Sequence, residues 1–294
     1  MPGGWYIVAL VTALAVAAGT AHDSARADSP WKRKPKPGAY TKWPLPAAGE
    51  SASGAPELIF TFDDGPHETY TPIILEELKK RRIQAIFFLV GSRLTKESPK
   101  RPARRALVAR ILREGHIVAN HSFDHQHLCK LSAQGAAEQI DRTSDILAEM
   151  TGMPIFFWRT PYGDYCQRLI DLLAEREIEH LHWDIDPMEW KDHDGERVAG
   201  TLRRKFAKVA RTNQRAVVLM HDTNKATAIA FPKAMAWLDQ ENARRTRAGD
   251  APIRIVQASE LVTELMDPAF SAWVRGSYDA GIDRLLTALR GVIP

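Results

Sequence analysis

Glu57-Leu58-Ile59-Phe60-Thr61-Phe62-Asp63-Asp64-Gly65-Pro66 is a short apolar run that ends on two adjacent carboxylates and a Gly-Pro stop. Residues 57–62 have the length and the β-branched and aromatic content of a buried strand, and Gly65 and Pro66 mark the turn that ends it. Asp63 and Asp64 cannot both be buried as anions without a compensating cation. Asp-Gly-Pro alone is an ordinary turn signal, so the pair gains meaning only from what the other strands end in.

Comparable apolar runs follow at 84–90, 116–120, 155–158, 180–184, 216–220 and 253–256, with amphipathic helical patterns between them. Thr71-Pro72 supplies a cap and a first-turn proline before Ile74 and Leu78. Leu107, Ile111 and Leu112 share one face before Gly115; Ile140, Leu147 and Met150 line a helix ending near Gly152. Val198, Leu202, Phe206 and Val209 line another. Strand and helix alternate at least six times, which predicts parallel strands covered by helices in a closed or nearly closed (β/α) barrel. A doubly wound open sheet is the alternative architecture.

In such a barrel the working groups follow the carboxyl ends of the strands. The third run leads into His121-Ser122-Phe123-Asp124-His125, and four of the ten histidines lie between His116 and His127. Imidazoles four residues apart converge if the segment forms a helical turn, which would set two nitrogen ligands beside an acid such as Asp64; surface loop histidines are the plainer reading. The fourth run leads into Trp158-Arg159-Thr160-Pro161-Tyr162-Gly163, where Arg159 would hold a nearby carboxylate ionised. Asp186-Pro187-Met188-Glu189-Trp190 follows the fifth run, and Leu219-Met220-His221-Asp222 ends the sixth.

The 294 residues are 45% hydrophobic and 26% charged with 18 Gly and 18 Pro, which excludes collagen, a disordered chain and a polytopic membrane protein. A net charge of +4 does not mark a nucleic-acid binder, and no glycine-rich loop after a strand could cradle a nucleotide. With two cysteines, any metal site must use His and carboxylates. Cys129 and Cys166 stand four residues after His125 and Tyr162, in loops leaving the same barrel end. A disulfide between them is one reading and two packed thiols the other.

Residues 5–18 are uncharged and precede Ala25-Arg26-Ala27, as in a secretory signal cleaved before Asp28; an uncleaved membrane anchor is the alternative. Residues 28–55 form a proline-rich linker with the basic run Trp31-Lys32-Arg33-Lys34-Pro35-Lys36, either a solvated arm or an electrostatic tether to an anionic wall polymer or membrane. Residues 56–266 carry the alternating strand and helix patterns and their polar strand ends. Residues 267–294 are an extension in which Ile282, Leu285, Leu286 and Leu289 have helical spacing.

TFDDGP, HSFDH, RTPYG, DPMEW and LMH, in this order after successive strands, resemble the five motifs of carbohydrate esterase family 4, the polysaccharide deacetylases with the NodB homology domain. The resemblance implies a distorted (β/α) barrel. It implies that Asp64, His121 and His125 bind a divalent metal, zinc first and Co, Ni or Mn next. Asp63 matches the catalytic base, Arg159 its partner, Tyr162 the residue whose backbone N–H holds the oxyanion, and His221 the general acid. The family's fourth motif usually has Asp where this chain has Glu189, so support of His221 falls to Glu189, Asp186 or Asp222. Trp190 and Leu219, with Tyr162, would line the acetyl pocket, plain core packing being the other reading for Trp190 and Leu219.

The expected protein is an exported, monomeric hydrolase that removes N-acetyl groups from an N-acetylglucosamine-containing polysaccharide, peptidoglycan first. Chitooligosaccharide and acetylated xylan are the alternative substrates, and a non-catalytic wall-binding protein is the alternative of another class. That last reading requires a missing base, ligand or acid, and none is missing.

Overall fold

The computed structural model describes residues 53–95 and 97–265. The leader, nearly all of the linker and the helix expected near Ile282 lie outside the described residues. Strand β1 (Glu57–Asp63) is the axis of the fold. On one edge it pairs in parallel with β6 (Arg215–His221) along its whole length, from Glu57↔Arg215 to Asp63↔His221. The other edge is shared: β2 (Ile86–Leu89) takes Thr61 to Asp63, and β7 (Arg254–Ile255) takes Glu57 and Leu58. Strands β3 (Ile117–Asn120), β4 (Phe157–Trp158) and β5 (Glu179–His180) continue beyond β2 in the order β5-β4-β3-β2-β1-β6.

The segment after β5 returns to β6. Ile185 bridges Val218, its carbonyl accepts from Leu219 N at 2.8 Å, and the Asp184 carboxylate accepts from Val217 N at 2.8 Å. The parallel sheet thus curls into a distorted barrel, and the open doubly wound alternative is set aside.

Helices α1 (Tyr70–Lys80), α2 (Arg101–Arg113), α3 (Ala133–Thr151), α4 (Gln167–Glu175), α5 (Gly195–Thr212), α6 (Lys225–Ala248) and α7 (Ala258–Leu265) fill the connections. Strand alternation sorts the core into two faces. Leu58, Phe60 and Phe62 of β1 face the helices, where Phe60 meets Phe206 and Phe231 edge-on at 6.0 and 5.3 Å. Ile59 faces inward with Ile86, Phe88 and Val217, and Leu261 and Val262 of α7 join that inner layer. At the amino end of β1, buried Glu57 accepts from Arg215 at 2.5 Å and from Arg254 at 2.6 and 2.9 Å.

The helix faces expected on α3 and α5 are buried, and Gly152 closes α3 in the left-handed conformation at φ 71°. Thr71 is not a cap. Helix α1 starts at Tyr70, and the Thr71 hydroxyl donates to Asp222 Oδ2 at 2.5 Å while accepting from His67 N. A polar group inside the first turn found a buried carboxylate in place of the helix's free amides.

Candidate active site

Because inward and outward residues alternate along β1, Asp63 follows Ile59 and Thr61 on the inner face and reaches the carboxyl rim 2% exposed. Arg159, just past β4 and fully buried, donates through Nη1 to Asp63 Oδ1 at 2.8 Å and to Thr61 Oγ1 at 2.7 Å. Its Nε and Nη2 donate to the carbonyls of Leu181 and His182, and its guanidinium lies 4.2 Å from the Phe88 ring centroid. With four of its five N–H donors used, Arg159 is fixed in place. Asp63 Oδ2 is left facing His121 Nε2 at 3.8 Å.

One residue on, the chain turns at Asp64 with φ 72°, which brings its carboxylate beside the β3 loop. Asp64 Oδ1 lies 3.3 Å from His121 Nε2 and 3.2 Å from His125 Nε2, and one ligand atom from each of the three lies within 4.8 Å of the others. His121 Nδ1 is fixed on the Arg159 carbonyl at 2.8 Å, so Nε2 carries the free lone pair. The two histidines do not share a helical turn, contrary to expectation. Ser122 and His125 adopt left-handed backbone at φ 67° and 60°, and Gln139 Oε1 accepts from Phe123 N and Asp124 N at 3.0 Å each. A tight loop anchored to α3 does what a helical turn was expected to do.

Asp64 Oδ1 is buried without a hydrogen-bond partner, and burial would raise its pKa. The facing His121, with the charges of His221 and His125, holds it well below the usual carboxylate range. Two imidazole lone pairs converging on an orphaned carboxylate oxygen fit a divalent cation, and three protein ligands leave a position open.

His221 is the register partner of Asp63 on the neighbouring strand. Glu189 Oε1 accepts from His221 N at 2.7 Å, lies 2.9 Å from Nδ1 and accepts from Thr227 Oγ1 at 3.2 Å. Burial lowers the His221 pKa, but the Glu189 hydrogen bond and charge, then Asp64 and Asp63, overcome this and push it up to about 9. Support of His221 therefore comes from Glu189. Asp186 is not brought to His221; its carboxylate accepts from Met188 N at 2.6 Å and Trp190 Nε1 at 3.3 Å. Asp222 is buried beneath the Asp64-Gly65 turn, held by Thr71, and burial pushes its pKa up to about 7. It takes no part in holding His221.

Tyr162, at φ 61° and 57% exposed, packs its ring edge-on to His125 at 4.6 Å and flat on His127 at 3.8 Å. His127 is paired with Asp164. This support beneath Tyr162 was not anticipated, although His127 belongs to the histidine cluster. Cys129 and Cys166 form a disulfide with α-carbons 5.8 Å apart, tying the His125 loop to the Tyr162 loop. Leu219 is buried on the inner face of β6, one inward step below His221. Trp190 is 51% exposed at the rim, which removes core packing as its role.

Comparison with known proteins bears on the family and the fold. The polysaccharide deacetylase family model matches residues 51–180. A peptidoglycan-N-acetylglucosamine deacetylase of Bacillus cereus is 30% identical over 167 residues, 57% of this chain and 56% of that protein. The peptidoglycan-N-acetylmuramic acid deacetylase PdaC of Bacillus subtilis is 34% identical over 184 residues, 63% of this chain and 36% of that one. A structure of PdaC superposes with a TM-score of 0.55 at 28% identity, covering 70% of this chain and 90% of that one. A chitooligosaccharide deacetylase of Rhizobium leguminosarum bv. phaseoli is 30% identical over 175 residues, 59% of this chain and 71% of that protein. The chain spans about half or less of the curated peptidoglycan relatives it matches. With the fold, the order of its strand-end residues and these likenesses in agreement, the chain belongs to the polysaccharide deacetylase family.

Proposed function

We propose that the protein is a metal-dependent hydrolase that removes N-acetyl groups from an N-acetylglucosamine-containing polysaccharide, with peptidoglycan as substrate. The carrying observation is the convergence of Asp64, His121 and His125 beside Asp63 and His221 at one barrel end. Those three residues would hold the ion, zinc first by its nitrogen and oxygen donors. A bound divalent ion supplies Lewis-acid polarisation of the amide carbonyl and lowers the pKa of a water to about 7. Asp63 takes the water's proton at Oδ2 while Arg159 keeps Oδ1 occupied. The Tyr162 backbone N–H, which makes no hydrogen bond to a described residue, donates to the developing oxyanion. His221, held protonated by Glu189, gives that proton to the leaving amine and becomes neutral.

The relatives that act on peptidoglycan and the basic arm of Lys32 to Lys36 favour a wall polymer, and the disulfide favours an oxidising, exported setting. The relative from Rhizobium leguminosarum keeps chitooligosaccharide as the second reading.

The test is acetate release from peptidoglycan, chitohexaose and acetylxylan, before and after chelation and metal return. Asp64→Ala, His121→Ala and His125→Ala should lose metal and activity together, whereas Asp63→Asn should keep the metal and lose about 10³-fold or more in kcat. Full activity of metal-free protein would overturn the reading.

A further inference from the structure

The loop after β2 lies between the two loops that carry the metal-ligand set. Val90 N donates to Gly65 O at 3.2 Å on one side; Gly91 N and Ser92 N donate to Ser122 O at 3.1 Å and Phe123 O at 2.7 Å on the other. The single helical turn Gly91–Leu94 held there carries Arg93, half-buried. Its guanidinium makes no hydrogen bond or ion pair with a described residue, although Asp64, Asp222 and Glu68 lie within electrostatic reach.

None of the three carboxylates hydrogen-bonds or ion-pairs with Arg93. Glu68 pairs with both Lys100 and Arg104, Asp222 takes the Thr71 hydroxyl, and Asp64 faces His121 and His125. Burial and Arg104 pull the Arg93 pKa below its ordinary value, with Asp222 and Asp64 acting against them. A partly desolvated guanidinium on the loop held between the two metal-ligand loops, with its planar fork unoccupied by a described residue, fits an incoming carboxylate.

We propose that Arg93 anchors an anion-recognising subsite beside the metal-ligand set, and that it takes a carboxylate carried by the sugar next to the one being deacetylated. The inference rests on the deacetylase reading and narrows its substrate. A muramic acid residue carries such a carboxylate, and a chitooligosaccharide carries none.

The test uses the full chain and glycans of equal length in which N-acetylglucosamine alternates with N-acetylmuramic acid, with the lactyl carboxyls either free or blocked as methylamides. The wild type should prefer the free form in kcat/KM by about tenfold, Arg93→Gln should bring the ratio close to one, and Arg93→Lys should keep part of it. A ratio that Arg93→Gln does not move overturns the subsite, including the case where both glycans lose rate together, which would assign Arg93 to balancing Asp64 and Asp222.

Calorimetric affinities of the same glycans, measured on Asp63→Asn with and without Arg93→Gln, separate this failure from that of the deacetylase reading. An Arg93-dependent carboxylate preference in a protein whose wild type releases no acetate keeps the subsite and removes the reaction. Acetate release with an Arg93-independent ratio does the reverse. A third glycan bearing a stem peptide, whose lactyl carboxyl is an amide, should behave like the blocked chain. A preference confined to that glycan overturns the assignment to the sugar.

Discussion

Glu189 reaches His221 despite its extra methylene, because its carboxylate oxygen is received by three donors: the His221 amide, the imidazole and the Thr227 hydroxyl. The sign of the resulting pH dependence follows. A general acid must carry its proton, and His221 is raised to about 9, so turnover should fall as pH rises through that value. Glu189→Gln removes the leading cause of the rise and leaves burial, which lowers the pKa. The falling limb should move down by about one pH unit or more, with a rate loss of about 10- to 100-fold. A pH–rate profile with an unmoved limb would detach Glu189 from His221.

Gly65 is equally constrained. A Cβ there would lie 2.3 Å from both oxygens of Asp222, whose carboxyl is pinned by Thr71 and cannot give way. Gly65→Ala should cost about 1–3 kcal/mol in denaturant unfolding and weaken metal binding by shifting Asp64. At this scale the sequence was readable where a chemical residue directly follows an apolar run, as Asp63, His121, Arg159 and His221 do, with Asp64 one residue on. The pairs His127 with Asp164 and Thr71 with Asp222 were not legible, since their partners are 37 and 151 residues apart and no periodicity links them.

Among the elements, β1 and β6 are longer than their expected runs, while the others are shorter than theirs. Residues 180–184 were expected as a strand, yet β5 is Glu179–His180 and pairing resumes only at Ile185. The reason is Arg159, which takes the carbonyls of Leu181 and His182 that a regular ladder would have used. Hydrophobic runs report burial, and here burial outlasts the ladder. Loop conformation was also invisible: left-handed Asp64, Ser122, His125 and Tyr162 are set by tertiary contacts, not by glycine.

The disulfide belongs to this scale because it joins two connections and not two core elements. Closing a 37-residue separation should stabilise the fold by about 4 kcal/mol. Cys129→Ser with Cys166→Ser should show that loss in chemical unfolding. If the covalent tie also positions Tyr162 over His125, kcat should fall under conditions where the variant is still folded.

For the described molecule as a whole, the two barrel ends are built from opposite economies of charge. At the amino end the buried Glu57 is neutralised from within. Burial would raise its pKa, but Arg215, Arg254 and Ser53 hold it down to about 2 from 4.5. Because the folded value is the lower one, this stabilisation is complete above pH 4.5 and is lost as pH falls through about 2. Glu57→Gln, which takes the buried anion from between Arg215 and Arg254, should cost about 3 kcal/mol at pH 7, and the cost should shrink in unfolding curves measured near pH 2.

The same strand sets the order in which the molecule can be finished. β1 is the first of the described strands to be synthesised, yet the partners Arg215 and Arg254 follow Glu57 by 158 and 197 residues. Loop-closure entropy delays such distant pairings. Counted in time along the growing chain, the rim that holds Asp63 and His221 is a late product. A ribosome halted before residue 215 would present Asp64, His121 and His125 already made, but neither His221 nor the strand that seats it beside Asp63.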